Sequence, residues 1–246
     1  MSEALLGDTF DIHGGGLDLV FPHHENEIAQ SECAHHGKQF VRFWLHNGYV
    51  TVNGEKMSKS LGNFFTVRQL LEEGYHGETI RLTLLSAHYR QPLDFSRDAL
   101  KASKQTLDRF YMALREAGDI EAEKGPLPPE VVGALEDDLN TPLALSVLHE
   151  CATALNKAKH VTAKAALKSA LLTAGEALGL LRSDPEAWFK GEVGGDNDIE
   201  NLITARNDAR KAKNFAEADR IRKELEAQGI VLEDKPGGKT EWRRAG

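Results

Sequence analysis

The chain has 246 residues, 41% hydrophobic and 28% charged, which is enough for a real core and for one to three domains. No apolar run approaches the ~20 residues of a bilayer span, and the start MSEALLGDTF lacks the basic and apolar stretches of a secretory signal. Two distant cysteines, Cys33 and Cys151, argue against a disulfide framework, so a reducing, cytoplasmic setting is expected.

A short apolar strand, Thr9 to Ile12, runs into His13-Gly14-Gly15-Gly16, and a helix is predicted to start near Pro22, where a missing N–H costs nothing. Phe40 to Leu45 and Tyr49 to Val52 read as strands, with Asn53-Gly54 as a turn. A polar loop, Gly54 to Asn63, leads to helices over Thr66–Glu73 and Glu78–Ala87. Ser96 to Leu181 reads as a helical bundle, rich in Ala, Leu, Lys and Glu and broken at Pro126, Pro128, Pro129 and Pro142. The Gly-, Asp- and Pro-rich stretch up to Asn197 reads as a linker. Helices over 198–212 and 215–228 follow, closed by Gly229, and then a small hairpin pairs Ile230–Glu233 with Thr240–Arg243.

Charge is unevenly spread. The net charge is −8, yet residues 201–246 hold 11 Lys and Arg against 8 Asp and Glu. A basic end on an acidic body is compatible with a nucleic-acid partner, but on charge alone a solvated helix face is the favoured reading. Arg206, Arg210 and Lys213 share one face at helical spacing.

Three constellations could carry chemistry. In Lys56-Met57-Ser58-Lys59-Ser60, two ammonium groups and two hydroxyls on a loop bounded by Gly54 and Gly62 suit a grip on triphosphate, where charge builds during nucleotidyl transfer. The spacing is not that of a Walker loop. In Phe21-Pro22-His23-His24-Glu25-Asn26-Glu27, a helix places His23 and Glu27 on one face, so an imidazole and a carboxylate could ligate one metal; a structural pair of histidines fits the same string. The third is His13 with its three glycines and Asp18, where backbone can approach a ligand closely or Asp18 can cap a helix. An esterase oxyanion loop also reads HGGG, but the chain has no G-x-S-x-G elbow.

Taken together, DIHGGGLDLVFPHHENEIAQSECAHHG, KMSKSLGNFFTVRQLL, IRLTLLSAHYRQPLDFS and the tail KNFAEADRIRKELEAQGIVLED with its final WRR closely resemble cysteinyl-tRNA synthetases, class I aminoacyl-tRNA synthetases, over almost the whole chain. The resemblance implies an α/β plus α architecture: an incomplete Rossmann-type catalytic domain (1–95), a helical bundle (96–182), a linker (183–197) and a small α+β anticodon-binding module (198–246). It implies cysteine activation by ATP with Mg²⁺ and transfer to tRNA-Cys. Lys59, supported by Lys56, would stabilise phosphate charge as the loop closes on ATP, and His13 and Asp18 would border the adenylate pocket. His23 and Glu27 match two ligands of the family's Zn²⁺, which coordinates the substrate thiolate and so rejects serine. Arg206, Arg210 and Lys213 would track tRNA phosphates, and Trp242 beside Arg243 and Arg244 would offer a platform for an unstacked base.

The chain departs from the family in lacking two cysteine zinc ligands and the HIGH motif. Cys33 is a poor substitute, about 15 Å further along a helix than His23 and facing away from it. The expectation is therefore a C-terminal half that does not charge tRNA alone and that pairs with a missing N-terminal half. A catalytically silent tRNA-binding module and a paralogous ligase joining cysteine to an amino-sugar are the alternatives.

Overall fold

A computed structural model describes residues 2–52, 54–57, 62–190, 196–234 and 240–244, apart from the side chains of Lys56, Asp196 and Asn197. Among the described residues no helix is long and apolar enough to cross a membrane. The chain divides into two compact units, Met1–Ser103 with Leu127–His149, and Lys104–Pro126 with Glu150–Gly246.

In the first unit a short helix α1 (Ser2–Leu6) precedes β1 (Phe10–Gly16), α2 (Glu25–Ala34) and β2 (Val41–Asn47). β1 and β2 pair in parallel, with Ile12 opposite Phe43, His13 opposite Trp44 and Gly15 opposite His46. Parallel neighbours need a crossover, and α2 supplies it. Between β1 and α2 the chain makes a 3-10 turn (Leu17–Leu19) and a wide turn (Val20–His24), kinked at Phe21, whose bond to Pro22 is cis. The regular helix thus begins at Glu25, slightly beyond the proline that sequence pattern marks as its start.

Strand alternation gives the pair two unlike faces. His13, Trp44 and His46 share one, while Ile12, Phe43 and Leu45 share the other, where Ile12 and Phe43 are 64% and 66% exposed. Beyond it, β3 (Val50–Val52) pairs antiparallel with β4 (Glu55–Lys56) and parallel with β5 (Leu93–Asp94). Asp94 Oδ1 accepts from Thr51 Oγ1 and from the Gly54 amide, which fixes the turn into β4. Helices α3 (Val67–Glu72) and α4 (Gly77–Leu85) bury Leu70 and Ile80 against Phe95 and Leu100. Thr66 caps α3 by accepting from the Gln69 amide. Helix α6 (Pro129–Glu136) opens on Pro129 at a position where its missing N–H is tolerated.

The long helix α5 (Arg97–Glu116) and α7 (Thr141–Lys157) each pass from one unit to the other. In the second unit, α8 (Val161–Ala177) buries Leu171 and Ala174, and α5 buries Leu107, Phe110 and Tyr111. The stretch whose composition reads as a linker contains α9 (Pro185–Lys190): the Trp188 ring stacks on Tyr111 at 4.4 Å, and Phe189 is buried. Two aromatic anchors outweigh the local Gly and Pro content there.

Helices α10 (Asp196–Lys211) and α11 (Phe215–Ala227) form the expected pair, followed by the antiparallel hairpin β6 (Ile230–Asp234) and β7 (Thr240–Arg244). Ile199, Ile203, Ile221, Leu225, Ile230 and Trp242 make their common core. Asn214 caps α11 through the Glu217 amide, and Gly229 takes the positive φ that ends it.

Candidate functional site: a histidine-lined face and a basic module

The face of β1–β2 bearing His13, Trp44 and His46 meets the wide turn and the first turn of α2. His24 is 3% exposed, and its Nδ1 lies 2.8 Å from His46 Nε2. The His13 and His24 rings stand edge to face at 5.0 Å, and each lies 4.9 Å from Trp44. Burial, then the neighbouring His13 and His46, push the His24 pKa down and favour its neutral imidazole, the form that binds metals.

Glu27 reaches into the same place from α2. Its Oε2 lies 3.2 Å from His13 Nε2 and its Oε1 3.7 Å from His23 Nε2. Oε2 is buried and has no hydrogen-bond partner, since the approach of His13 is close but not aligned. Donor atoms of His13, His24 and Glu27 all lie within 4.8 Å of one another. A buried orphan carboxylate oxygen beside two imidazoles is a donor set that fits Zn²⁺. His23, the expected ligand, is brought to Glu27 but its side chain is 58% exposed.

The glycines have a physical reason. A Cβ on Gly15 would stand 2.8 Å from His24 Cε1 and 2.9 Å from Leu19 Cδ1, so only glycine lets the strand run against the buried imidazole. Asp18 sits in the 3-10 turn at the strand's end, its Oδ1 2.5 Å from where a Gly16 Cβ would be. Cys33 is exposed on α2.

Lys59 lies outside the described residues, as does the Lys56 side chain. The Lys56 backbone pairs with Thr51 in the β3–β4 turn, and Met57 donates to the Val50 carbonyl. Gly54 and Gly62, either side of the loop, both adopt positive φ.

In the second unit, the basic face read from helical spacing is corrected. Arg206 is 6% exposed, and its Nη1 and Nη2 each donate to Asp234 at 3.0 Å, so it braces α10 against the hairpin and does not face solvent. Arg206 in turn holds the Asp234 carboxyl well below the usual range. Arg210 also meets Asp234, at 3.0 Å, but is half-exposed. Lys213 lies past the end of α10 with φ +58°, exposed. Trp242 is likewise no open platform: it is 1% exposed, and its Nε1 donates to Glu200. Its indole packs with Ile199, Ile203, Ile221, Leu225 and Ile230 in the core of the module. Arg243 pairs with Glu233, and Arg244 donates to the Lys190 carbonyl with its guanidinium over Trp242. The exposed aromatic of this module is Phe215, at 63%, two residues beyond Lys213.

Sequence pattern missed His24, Trp44, His46 and Phe215. Trp44 and His46, two apart in a strand, do share a face by alternation, whereas nothing local separates His24 from His23.

Comparison with known proteins bears on this geometry. A family model described as the class I (C) tRNA synthetase catalytic domain matches residues 1–105, a DALR domain model matches 130–182, and a cysteinyl-tRNA ligase anticodon binding domain model matches 193–243. A LeuRS chain from a LeuRS–tRNA–LeuAMS complex of Agrobacterium radiobacter K84 has the same fold over 71% of this chain and 28% of its own, with TM-score 0.56 and 19% identity. The fold is thus that of a class I aminoacyl-tRNA synthetase. Cysteine–tRNA ligases of Paramagnetospirillum magneticum and Rhodospirillum centenum are 62% and 57% identical over 99% and 100% of the chain, each covered to 54% of its own length. The chain belongs to the cysteine–tRNA ligase family and spans about half the length of these relatives.

Proposed function

We propose that this chain provides part of a cytoplasmic cysteine–tRNA ligase, which activates L-cysteine with ATP and Mg²⁺ and transfers it to tRNA-Cys. The observation that carries the reading is the buried Glu27 Oε2, without a hydrogen-bond partner, between His13 and His24, in a chain of this family. Glu27 would hold Zn²⁺ together with His23 on its Oε1 side, or with His13 and His24 on its Oε2 side. Zinc there supplies a ligand site for a thiolate, which a hydroxyl cannot match. Lys59 and Lys56 would neutralise phosphate charge, and His13 and Asp18 would border the adenylate.

The catalytic part is read as 1–95, the helical bundle as 96–182, the linker as 183–197 and the anticodon module as 198–246. Arg210, Lys211, Lys213 and Phe215 are the residues of that module offered to tRNA. Parallel strands are rarely left bare, so the exposed Ile12 and Phe43 face is read as the seat of a polypeptide supplying the HIGH-bearing part of the domain.

ATP–pyrophosphate exchange with cysteine tests the reading. The expected outcome is none from this chain alone and exchange when the complementary half of a relative is added; exchange by the chain alone would refute the need for that half. Filter binding should detect tRNA-Cys in preference to other tRNAs, and its failure would remove the tRNA reading. Glu27→Gln should lower zinc content and weaken zinc binding by about tenfold or more, while the metal-free melting temperature holds.

A further inference from the structure

Between Glu150 and Glu176 the chain carries Lys157, Lys159, His160, Lys164 and Lys168 and no Asp or Glu, in a protein whose acidic residues outnumber its basic ones 38 to 30. These cations gather where α7 passes into α8 in the second unit: Lys157 ends α7, Lys159 and His160 form the turn, and Lys164 lies about one turn into α8. Lys168, further along, is spent on the Ala117 and Ile120 carbonyls at 2.9 and 2.7 Å. Lys38, Lys104, Lys124 and Lys211 each meet a carboxylate. Among the described residues, Lys157, Lys159 and Lys164 meet none. Lys157, Lys159 and His160 are exposed, and Lys164 is partly so.

For the chain alone this arrangement is unfavourable. Amides that open a helix carry partial positive charge, ordinarily complemented by a capping oxygen or by Asp and Glu in the first turn. The 17-residue α8 has neither: its N-cap, His160, has extended backbone and no side-chain cap hydrogen bond, and its first turn holds no acidic residue. Lys164 adds a like charge there. Lys157 is the milder case, since a cation is favoured at the end of α7. What offsets ammonium groups and open amides together is a run of negative charges that also accept hydrogen bonds, as phosphates do.

We propose that the tip between α7 and α8 is an RNA contact in its own right, taking backbone phosphates on Lys157, Lys159, Lys164 and the first amides of α8, apart from the C-terminal face of Arg210, Lys211 and Lys213. RNA fits this tip better than an acidic protein surface does. Phosphate oxygens satisfy amides and ammonium groups alike, whereas a protein interface needs an apolar core, and among the described residues of the tip Val161 is the exposed large hydrophobic side chain. The contact reads charge and not sequence. It rests on the tRNA reading above for the choice of polyanion, and the experiment separates the two.

The full chain is titrated by fluorescence anisotropy with labelled tRNA-Cys and with a mixed-sequence RNA duplex at about 0.1 M salt. Lys157→Gln, Lys159→Gln and Lys164→Gln together should weaken both RNAs by about tenfold or more, the same three changed to Arg should bind as the wild type does, and the gap should close toward about 0.5 M salt. Thr162→Asp places an acid in the first turn of α8. It should raise the melting temperature and weaken RNA binding at once. If both RNAs bind alike and both are lost in the triple Gln variant, the contact stands and the preference for tRNA-Cys falls. The proposal is overturned by no RNA binding in the wild type, by unchanged RNA binding in the triple Gln variant, by a stabilised Thr162→Asp that binds RNA as before, or by polyglutamate bound in preference to RNA.

Discussion

His35 shows how one side chain ties an element in place. Its Nδ1 donates to the Ser31 carbonyl at 2.8 Å, and its Nε2 lies 3.4 Å from Glu3 and 3.9 Å from Asp8, which Lys38 also pairs. The Ser31 carbonyl first, then Glu3, raise its pKa above the ordinary 6.5. A raised value means the charged form is favoured in the fold. Its contribution is therefore complete below about 6.5 and fades as pH rises through the folded value. The melting temperature of the wild type should exceed that of His35→Gln at pH 6, and the gap should shrink by pH 8. A constant gap would show that His35 acts by packing. Glu27 has one buried oxygen, Oε2, without a hydrogen-bond partner; its placement matters for zinc, hence the expectation that Glu27→Gln leaves the metal-free chain as stable as before.

At the scale of elements, the hairpin and α10 are joined by Arg206 and Asp234 in bidentate contact, with Thr240 donating to the same carboxylate. Breaking a buried pair costs more than the pair contributes, because a charge is left without its partner. Here Asp234 is 43% exposed, so water offsets part of that cost. Asp234→Ala should destabilise the protein by about 2 kcal/mol in urea unfolding. The double variant Asp234→Ala with Arg206→Met should lose less, since it removes the stranded charge as well. Helix starts behave more simply: Thr66 and Asn214 cap α3 and α11 through the amides three residues on, as local sequence already indicates.

Across the molecule, an acidic body carries a basic end, and the structure shows which of those charges reach outward. Arg206 is consumed internally, whereas Arg210, Lys211 and Lys213 remain at least partly exposed. Three phosphate contacts predict that log affinity for tRNA falls with log salt at a slope of about −2 to −3, and Lys213→Ala should reduce that slope by about 1. A slope near zero would exclude this face from the interface. Family and element order were legible from the chain, because periodicity, caps, glycines and the KMSKS and FPHHENE strings are local features. Burial was not. The same helical spacing places Arg206 and Arg210 side by side, and only the position of Asp234, 28 residues away, turned one inward. Trp242 reads as a platform in sequence and is a core residue in space, because hydrophobic burial depends on what packs around an indole and not on its neighbours in the chain. Likewise His23 and His24 are equivalent as letters, and the approach of β1 and β2 alone decided which imidazole is buried beside Glu27.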